Sequence, residues 1–176
     1  MNESNFIKTA LHYGALSGIG IFLFYMLLYF MGYNLFGPAT MAGIWIPAVF
    51  VVLAMKFHRD SNLKGSITYG QALLMGFITT LFSASLFGLA FYLFGTLVDP
   101  GILDNYQQQA ALSIEEGKSI LSETMYEKAM ESIELVTVGS LAFSESFNKI
   151  LGGGIISLIA AAILQRKPVQ QVNDWQ

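Results

Sequence analysis

The chain is expected to fold as an all-α integral membrane four-helix bundle, with an amphipathic extramembrane helical segment between helices 3 and 4. Three observations predict this: apolar stretches of spanning length, a charged fraction of only 12%, and basic residues concentrated in alternate connections. Soluble domains carry about 25% charged residues, so this chain has roughly half the charge that a water-exposed surface normally holds. The mean hydropathy is +0.55, and the 17 glycines suit helices that must approach closely without a hydrophobic force between them. At 176 residues a single domain, 1–176, is expected.

A spanning helix needs about 20 mostly apolar residues to cross ~30 Å of hydrocarbon. The first span is placed at 10–35, in a stretch without Asp, Glu, Lys or Arg from Thr9 to Leu35. A cleaved signal peptide would have an apolar core of about 7–15 residues ending in small side chains. This stretch instead runs into Tyr29, Phe30 and Tyr33, which favours an uncleaved helix. The second span, 39–55, follows Pro38 and contains Pro47, which is expected to kink it. The third, 69–98, closes at Asp99-Pro100, a strong helix stop. The fourth, 142–164, is cleanly apolar only from Ile150 to Leu164 and is expected to borrow an interfacial turn from Ala142 to Lys149.

Lysine and arginine mark the cytoplasmic flanks of membrane helices. Lys8 precedes the first span, Lys56, Arg59 and Lys64 lie between the second and third, and Arg166 and Lys167 follow the fourth. These are six of the nine basic residues, whereas Asp99 to Lys149 holds nine of the twelve acids. All four spans therefore agree on one orientation, with both termini cytoplasmic. Tyr13 and Tyr69 then fall at the inner interface, and Tyr29, Tyr33 and Tyr92 nearer the outer one, as an aromatic belt requires.

The outer segment, 99–141, reads as helical. Ser113-Ile114-Glu115-Glu116 has the form of a capping box, with a hydroxyl at the cap and a carboxylate three residues on. From Leu121 the apolar positions Met125, Ala129 and Ile133 recur every four residues, with Glu123, Glu127, Glu131 and Glu134 on the other face. Such a helix packs its apolar stripe on the bundle or lies in the interface; its acidic face is a candidate partner surface. Carboxylates four apart lack the six to eight oxygens that Ca²⁺ typically takes, and there is no EF-hand pattern.

Thr68-Tyr69-Gly70-Gln71-Ala72 followed by Gly76-Phe77, then Asp99-Pro100, and the run Ile155 to Ile159 ending at Gln165-Arg166-Lys167 form a recognisable set. On these residues the chain resembles the DUF4199-type family, an uncharacterised group of small bacterial four-helix inner-membrane proteins. The resemblance spans nearly the whole chain. It implies location in the bacterial inner membrane and the topology above, and it brings no activity and no site residues.

With no cysteine, disulfides, zinc–thiolate sites, iron–sulfur clusters and thiol nucleophiles are excluded. No cofactor, metal or catalytic residue is expected, and no basic patch points to nucleic acid. The central parts of the first three spans hold no Asp, Glu, Lys, Arg or His, which argues against a proton relay of the kind pumps need.

The nearest exception is Glu145 with Lys149, four apart in the favourable order, beside Asn148. At the outer entrance of a fourth helix starting near Ala142, this reads first as an interfacial ion pair and second as a polar site. His12, His58 and Asp60 all fall near the inner surface but at unrelated spacing, a weak basis for a metal or acid–base site. Gly14 with Gly18, and Ala84 with Gly88, form small-residue faces for close packing within the monomer or across a dimer. Gly152, Gly153 and Gly154 cost roughly 2–3 kcal/mol of helix propensity together, so they must gain close contact or permit a bend.

Laid over each other, the first and third spans align Tyr13, Gly14, Gly20 and Gly32 with Tyr69, Gly70, Gly76 and Gly88, an agreement that the other two spans do not share.

The function expected from these features is that of a non-enzymatic accessory or scaffold subunit, seated in membrane lipid and binding another membrane protein or its own copies. The alternative is a carrier or channel for a small or lipidic solute, with Gln71, Thr79, Thr80, Ser83, Ser85 and Ser157 as its polar path. An enzyme acting on lipid-linked substrates would need His12, His58 and Asp60 to converge.

Overall fold

The computed structural model describes residues 3–166; Lys167, one of the basic flanking residues above, lies outside them. Among the described residues the chain consists of helices joined by short turns, with one isolated antiparallel bridge. The helices are α1 (Glu3–Phe30), α2 (Trp45–Phe57), α3 (Tyr69–Leu97), α4 (Ile102–Glu116), α5 (Glu123–Glu134) and α6 (Val138–Leu164). A 3₁₀ segment, Pro38–Ile44, leads into α2, and a π-helical turn, His58–Asn62, follows it. Four helical stretches are long and apolar enough to cross a membrane: Ser4–Phe30, Pro38–Asn62, Tyr69–Leu97 and Val138–Leu164. Helices α4 and α5 form a hairpin at one end of this bundle; the first turns of α1 and Arg166 lie at the other.

Local chemistry sets the boundaries. Helix α1 gives out at a turn containing Gly32, whose φ of +74° suits a residue without a Cβ. Helix α3 opens with a capping box: the Gln71 amide donates to Thr68 Oγ1 at 3.3 Å, and the Thr68 amide donates to Gln71 Oε1 at 3.1 Å. Part of the Thr68-Tyr69-Gly70-Gln71-Ala72 motif is thus a helix start. Helix α6 opens in the same way at Thr137 and Ser140. At the terminal end, Ile67 and Arg166 exchange amide–carbonyl bonds of 3.0 and 2.9 Å, tying the α2–α3 connection to the chain after α6.

Four details differ from the sequence reading. The fourth long helix runs unbroken from Val138, so the turn from Ala142 to Lys149 is helix proper; its polar residues interrupt hydrophobicity without interrupting hydrogen bonding. Pro47 lies in the first turn of α2, where its missing N–H has no helical partner to lose; the change of winding falls before it, between Ile44 and Trp45. Ser113 caps nothing: it lies inside α4 with its hydroxyl on the Gln109 carbonyl, and the true cap is Ser122, which accepts from the Met125 amide. Finally, Met125 faces solvent at 59% exposure, while Tyr126, Ala129, Met130 and Ile133 turn inward.

Helix α3 is the centre of the bundle. Towards the hairpin end an aromatic cluster joins Tyr25, Phe87, Phe91 and Phe94 to Ile102 of α4. Towards the terminal end an aliphatic cluster joins Phe6, Val51, Met55, Ile67 and Met75 to Ala160 and Ala161. Between them lies a waist of small and hydroxylated residues. Gly14 and Gly18 bring α1 so close that an added methyl would stand 2.9 Å from the Thr79 carbonyl oxygen or 2.7 Å from that of Ser83. Ser83 Oγ donates to Ser17 Oγ across the same contact at 2.8 Å. On the other side of α3, Gly88 receives Ser146 of α6, Gly153 of α6 receives Thr80, and Gly76 receives Ser157. Ala84 is buried in α3 between these contacts.

The three consecutive glycines divide. Only Gly153 is at a contact; Gly152 and Gly154 have nothing within 4 Å of an added Cβ. The overlay of spans one and three does not carry into structure either, since Gly32 ends a helix while Gly88 is interior to one.

Gly153→Ala should therefore lower stability by roughly 1–3 kcal/mol, because the methyl meets Thr80 in a closed crossing. Gly152→Ala or Gly154→Ala should raise it by about 0.5–1 kcal/mol through helix propensity. Thermal unfolding of the three variants in one detergent checks this; equal effects would refute the assignment of the crossing.

Candidate functional site

Helix α1 buries Tyr25 against Phe87, with ring centroids 4.9 Å apart, because the Gly14–Gly18 crossing draws α1 onto α3. A buried phenol needs a partner for its hydroxyl, and α6 supplies two. Lys149 Nζ donates to Tyr25 Oη at 2.9 Å and to Glu145 Oε2 at 2.9 Å, and the Tyr25 hydroxyl donates to Glu145 Oε2 at 3.1 Å. The ammonium also lies 5.0 Å from the Tyr25 ring centre and 5.2 Å from that of Phe87, within cation–π range. The Lys149 and Glu145 side chains are 23% and 20% exposed.

Because α6 starts at Val138, this triad is not at a helix entrance. Lys149 stands eleven residues into the 27-residue helix, about 16 Å along a helix of about 40 Å. A cavity of about 250 Å³ opens beside the triad, between α6 and the 3₁₀–α2 segment. Tyr25, Glu145, Asn148 and Lys149 line its polar end, and Met41, Ile44, Pro47 and Ile156 its apolar walls. Gly152 and Gly153 form its floor, so one of the two open glycines leaves room that any larger side chain would take.

The other residues singled out from sequence are dispersed. His12 is exposed on α1, edge-on to Tyr13. His58 is buried in the π turn against Phe6, its Nδ1 3.0 Å from the side-chain Nδ2 of Asn62 and its Nε2 without a hydrogen-bond partner. Asp60 pairs with its neighbour Arg59 at 2.7 Å. The structure does not assemble His12, His58 and Asp60, and no metal-binding group of His, Cys, Asp or Glu occurs among the described residues. Four of the five hydroxyls considered as a polar path close onto neighbours, Thr79 onto the Met75 carbonyl, Ser85 onto Leu81, Ser157 onto Gly153, and Ser83 onto Ser17, while Thr80 Oγ1 is buried against Gly153 without a hydrogen-bond partner.

Glu123, Glu127, Glu131 and Glu134 are all exposed on α5. Two contacts hold α5 to α4: Gln107 Nε2 donates to the Ile133 carbonyl at 3.2 Å, and the Tyr126 hydroxyl donates to Glu115 Oε2 at 2.6 Å. Beneath the hairpin, a second cavity of about 360 Å³ is lined by Asn34, Asp99, Asn105, Gln108 and Gln109.

Tyr25 and Phe87 went unnoticed in the sequence. The signal for Tyr25 was present: a tyrosine well inside a long apolar stretch, one turn before Tyr29, needs a partner for its hydroxyl and so implies one elsewhere in the bundle.

A family profile described as a protein of unknown function (DUF4199) matches residues 12–166. The chain belongs to the DUF4199 family. No curated protein and no solved structure matches it. The match includes α2 to α6 whole and most of α1, so in this DUF4199 member the triad and its cavity lie within the family's own extent.

Two outcomes follow. Lys149→Met strands the Glu145 carboxylate and should cost on the order of 3 kcal/mol, with most of the loss recovered in Lys149→Met/Glu145→Leu. Additive losses in a thermal-unfolding cycle would show that the pair is uncoupled.

The second concerns pH. The Tyr126 hydrogen bond holds the Glu115 carboxyl below its ordinary value, and the Glu115 carboxylate holds the Tyr126 phenol above its own. This contact's contribution to α5 docking is thus complete between the two ordinary values. It is lost as pH falls through the depressed carboxyl value and again as pH rises through the raised phenol value. Hydrogen exchange of α5 across pH reads this, and Tyr126→Phe should flatten it.

Proposed function

We propose that the chain is a multi-pass protein of the bacterial inner membrane, with both termini cytoplasmic, that binds another membrane component and catalyses no reaction. The observation that carries the binding role is the Tyr25–Glu145–Lys149 triad beside a cavity open to the side of the bundle. Charged groups deep in a membrane bundle are costly and, where they persist, usually serve binding or transport.

The surface supports the membrane setting. Leu23, Ile155 and Ile163 point outward at 61%, 60% and 75% exposure, while Ser17, Thr79, Ser83 and Ser157 are buried. That distribution would be costly in water and suits lipid, where small polar residues form the helix contacts. Lys8, Lys56, Arg59, Lys64 and Arg166 all lie on the terminal half of the chain's topology, whereas the hairpin half, 99–149, holds nine of the twelve acids against three lysines, which supports cytoplasmic termini.

Within this reading the exposed carboxylates of α5 offer a second surface, for a membrane-protein partner or another copy of the chain. A carrier for a small or lipidic solute is the second reading, and the mid-depth position of the cavity favours it.

The chain lacks cysteine, so single cysteines at Lys64 and Glu127 report topology directly. In intact cells with a permeabilised outer layer, an impermeant maleimide should label Glu127→Cys and spare Lys64→Cys; labelling of both from one side would overturn the orientation. A photo-crosslinking residue at Met41 or at Glu127 should give one defined adduct, whereas a clean monomer from both would remove the binding role.

A further inference from the structure

We infer that the cavity beside Tyr25, Glu145 and Lys149 takes a neutral amphiphile carrying a hydroxyl group, of the long-chain alcohol or diacylglycerol kind. This rests on the reading above, that the cavity binds a membrane component, and it assigns the chemical class.

The hydrogen-bond inventory selects the group. An ammonium has three N–H donors; Lys149 spends one on Tyr25 Oη and one on Glu145 Oε2. Glu145 Oε2 accepts from both Lys149 and Tyr25, whereas Oε1 has no protein partner among the described residues. The ion pair therefore presents one free donor and one free acceptor on residues one helical turn apart, with the exposed Asn148 carboxamide beside them. A hydroxyl accepts the first and donates to the second, completing both with one atom. Ion pairs away from water are favourable only when their remaining hydrogens and lone pairs are satisfied.

Charge selects against the alternatives. Lys149 and Glu145 sum to zero, and a ligand with a net charge would leave that charge uncompensated in a low-dielectric site. A carboxylate would also oppose Glu145, and an ammonium would oppose Lys149. The rest of the cavity fits an apolar body. Met41 and Ile44, exposed at 74% and 63%, stand at its mouth, and Ile156 continues the apolar wall past Gly152. A ligand arriving sideways from lipid meets apolar surface first and the polar triad last.

The test uses the full chain in phosphatidylcholine nanodiscs and three diazirine-bearing C16 probes that differ only at the head: alcohol, carboxylate and trimethylammonium. The alcohol should label peptides containing Met41 or Ile156 about tenfold more than either charged probe, the ratio expected for one hydrogen bond to a charged group. Gly152→Leu fills the cavity where nothing stands within 4 Å of an added Cβ, and should abolish that labelling. Gly152→Ala serves as the smaller variant should leucine disturb folding, with labelling reduced. Preferential labelling by a charged probe, blocked by Gly152→Leu, overturns the hydroxyl class and leaves the cavity as a binding site. Equal labelling by all three probes, indifferent to both Gly152 variants, overturns the class and the binding site together, leaving water as the occupant.

Discussion

The close approach of α1 and α6 to α3 is the constraint on which the rest of the structure depends. Gly14 and Gly18 on one side, and Gly76, Gly88 and Gly153 on the other, remove side chains where backbones must meet. Hydroxyls fill the remaining space, at Thr79 and Ser157 bonded to their own helix carbonyls, at Ser17 and Ser83 to each other, and at Thr80 buried without a partner. Such contacts gain dispersion energy and hydrogen bonds without needing apolar burial as a driving force. They free the larger apolar residues to face outward along the helices.

That waist also places the charged triad. With α1 drawn onto α3, Tyr25 is pressed between Phe87 and Phe91 and its hydroxyl points at α6. Lys149 and Glu145 would be expensive alone in such surroundings. As a triangle with a phenol, with two aromatic faces under the ammonium, each offsets part of the desolvation of the others. The cavity beside them exists because Gly152 faces open space and the 3₁₀ segment before α2 leaves α6 uncovered at that level.

The hairpin of α4 and α5 is held differently. Ile102, Leu103 and Tyr106 join the aromatic cluster at the bundle end, so α4 is part of the core. Helix α5 is held by the buried Ile133 and by two hydrogen bonds, to Gln107 and Glu115. Its acidic face is left bare as a consequence of where Tyr126 and Ile133 dock, and the expectation that Met125 would dock failed because a strict four-residue count drifts around a helix of 3.6 residues per turn.

The sequence by itself determined the four long helices, since length and apolarity depend on no neighbour, and it determined the third helix almost to the residue because Thr68, Gln71, Asp99 and Pro100 act locally. It identified the family from short motifs for the same reason. Only the tertiary structure decided which glycines are contacts and which are openings, since Gly152, Gly153 and Gly154 are chemically identical and differ in what α3 puts opposite them. It alone brought Tyr25 to residues 120 and 124 positions away, turning what reads as a local i,i+4 pair into a three-helix site. Ion pairs and cavities depend on distances between elements, and no periodicity along one helix encodes the distance to another.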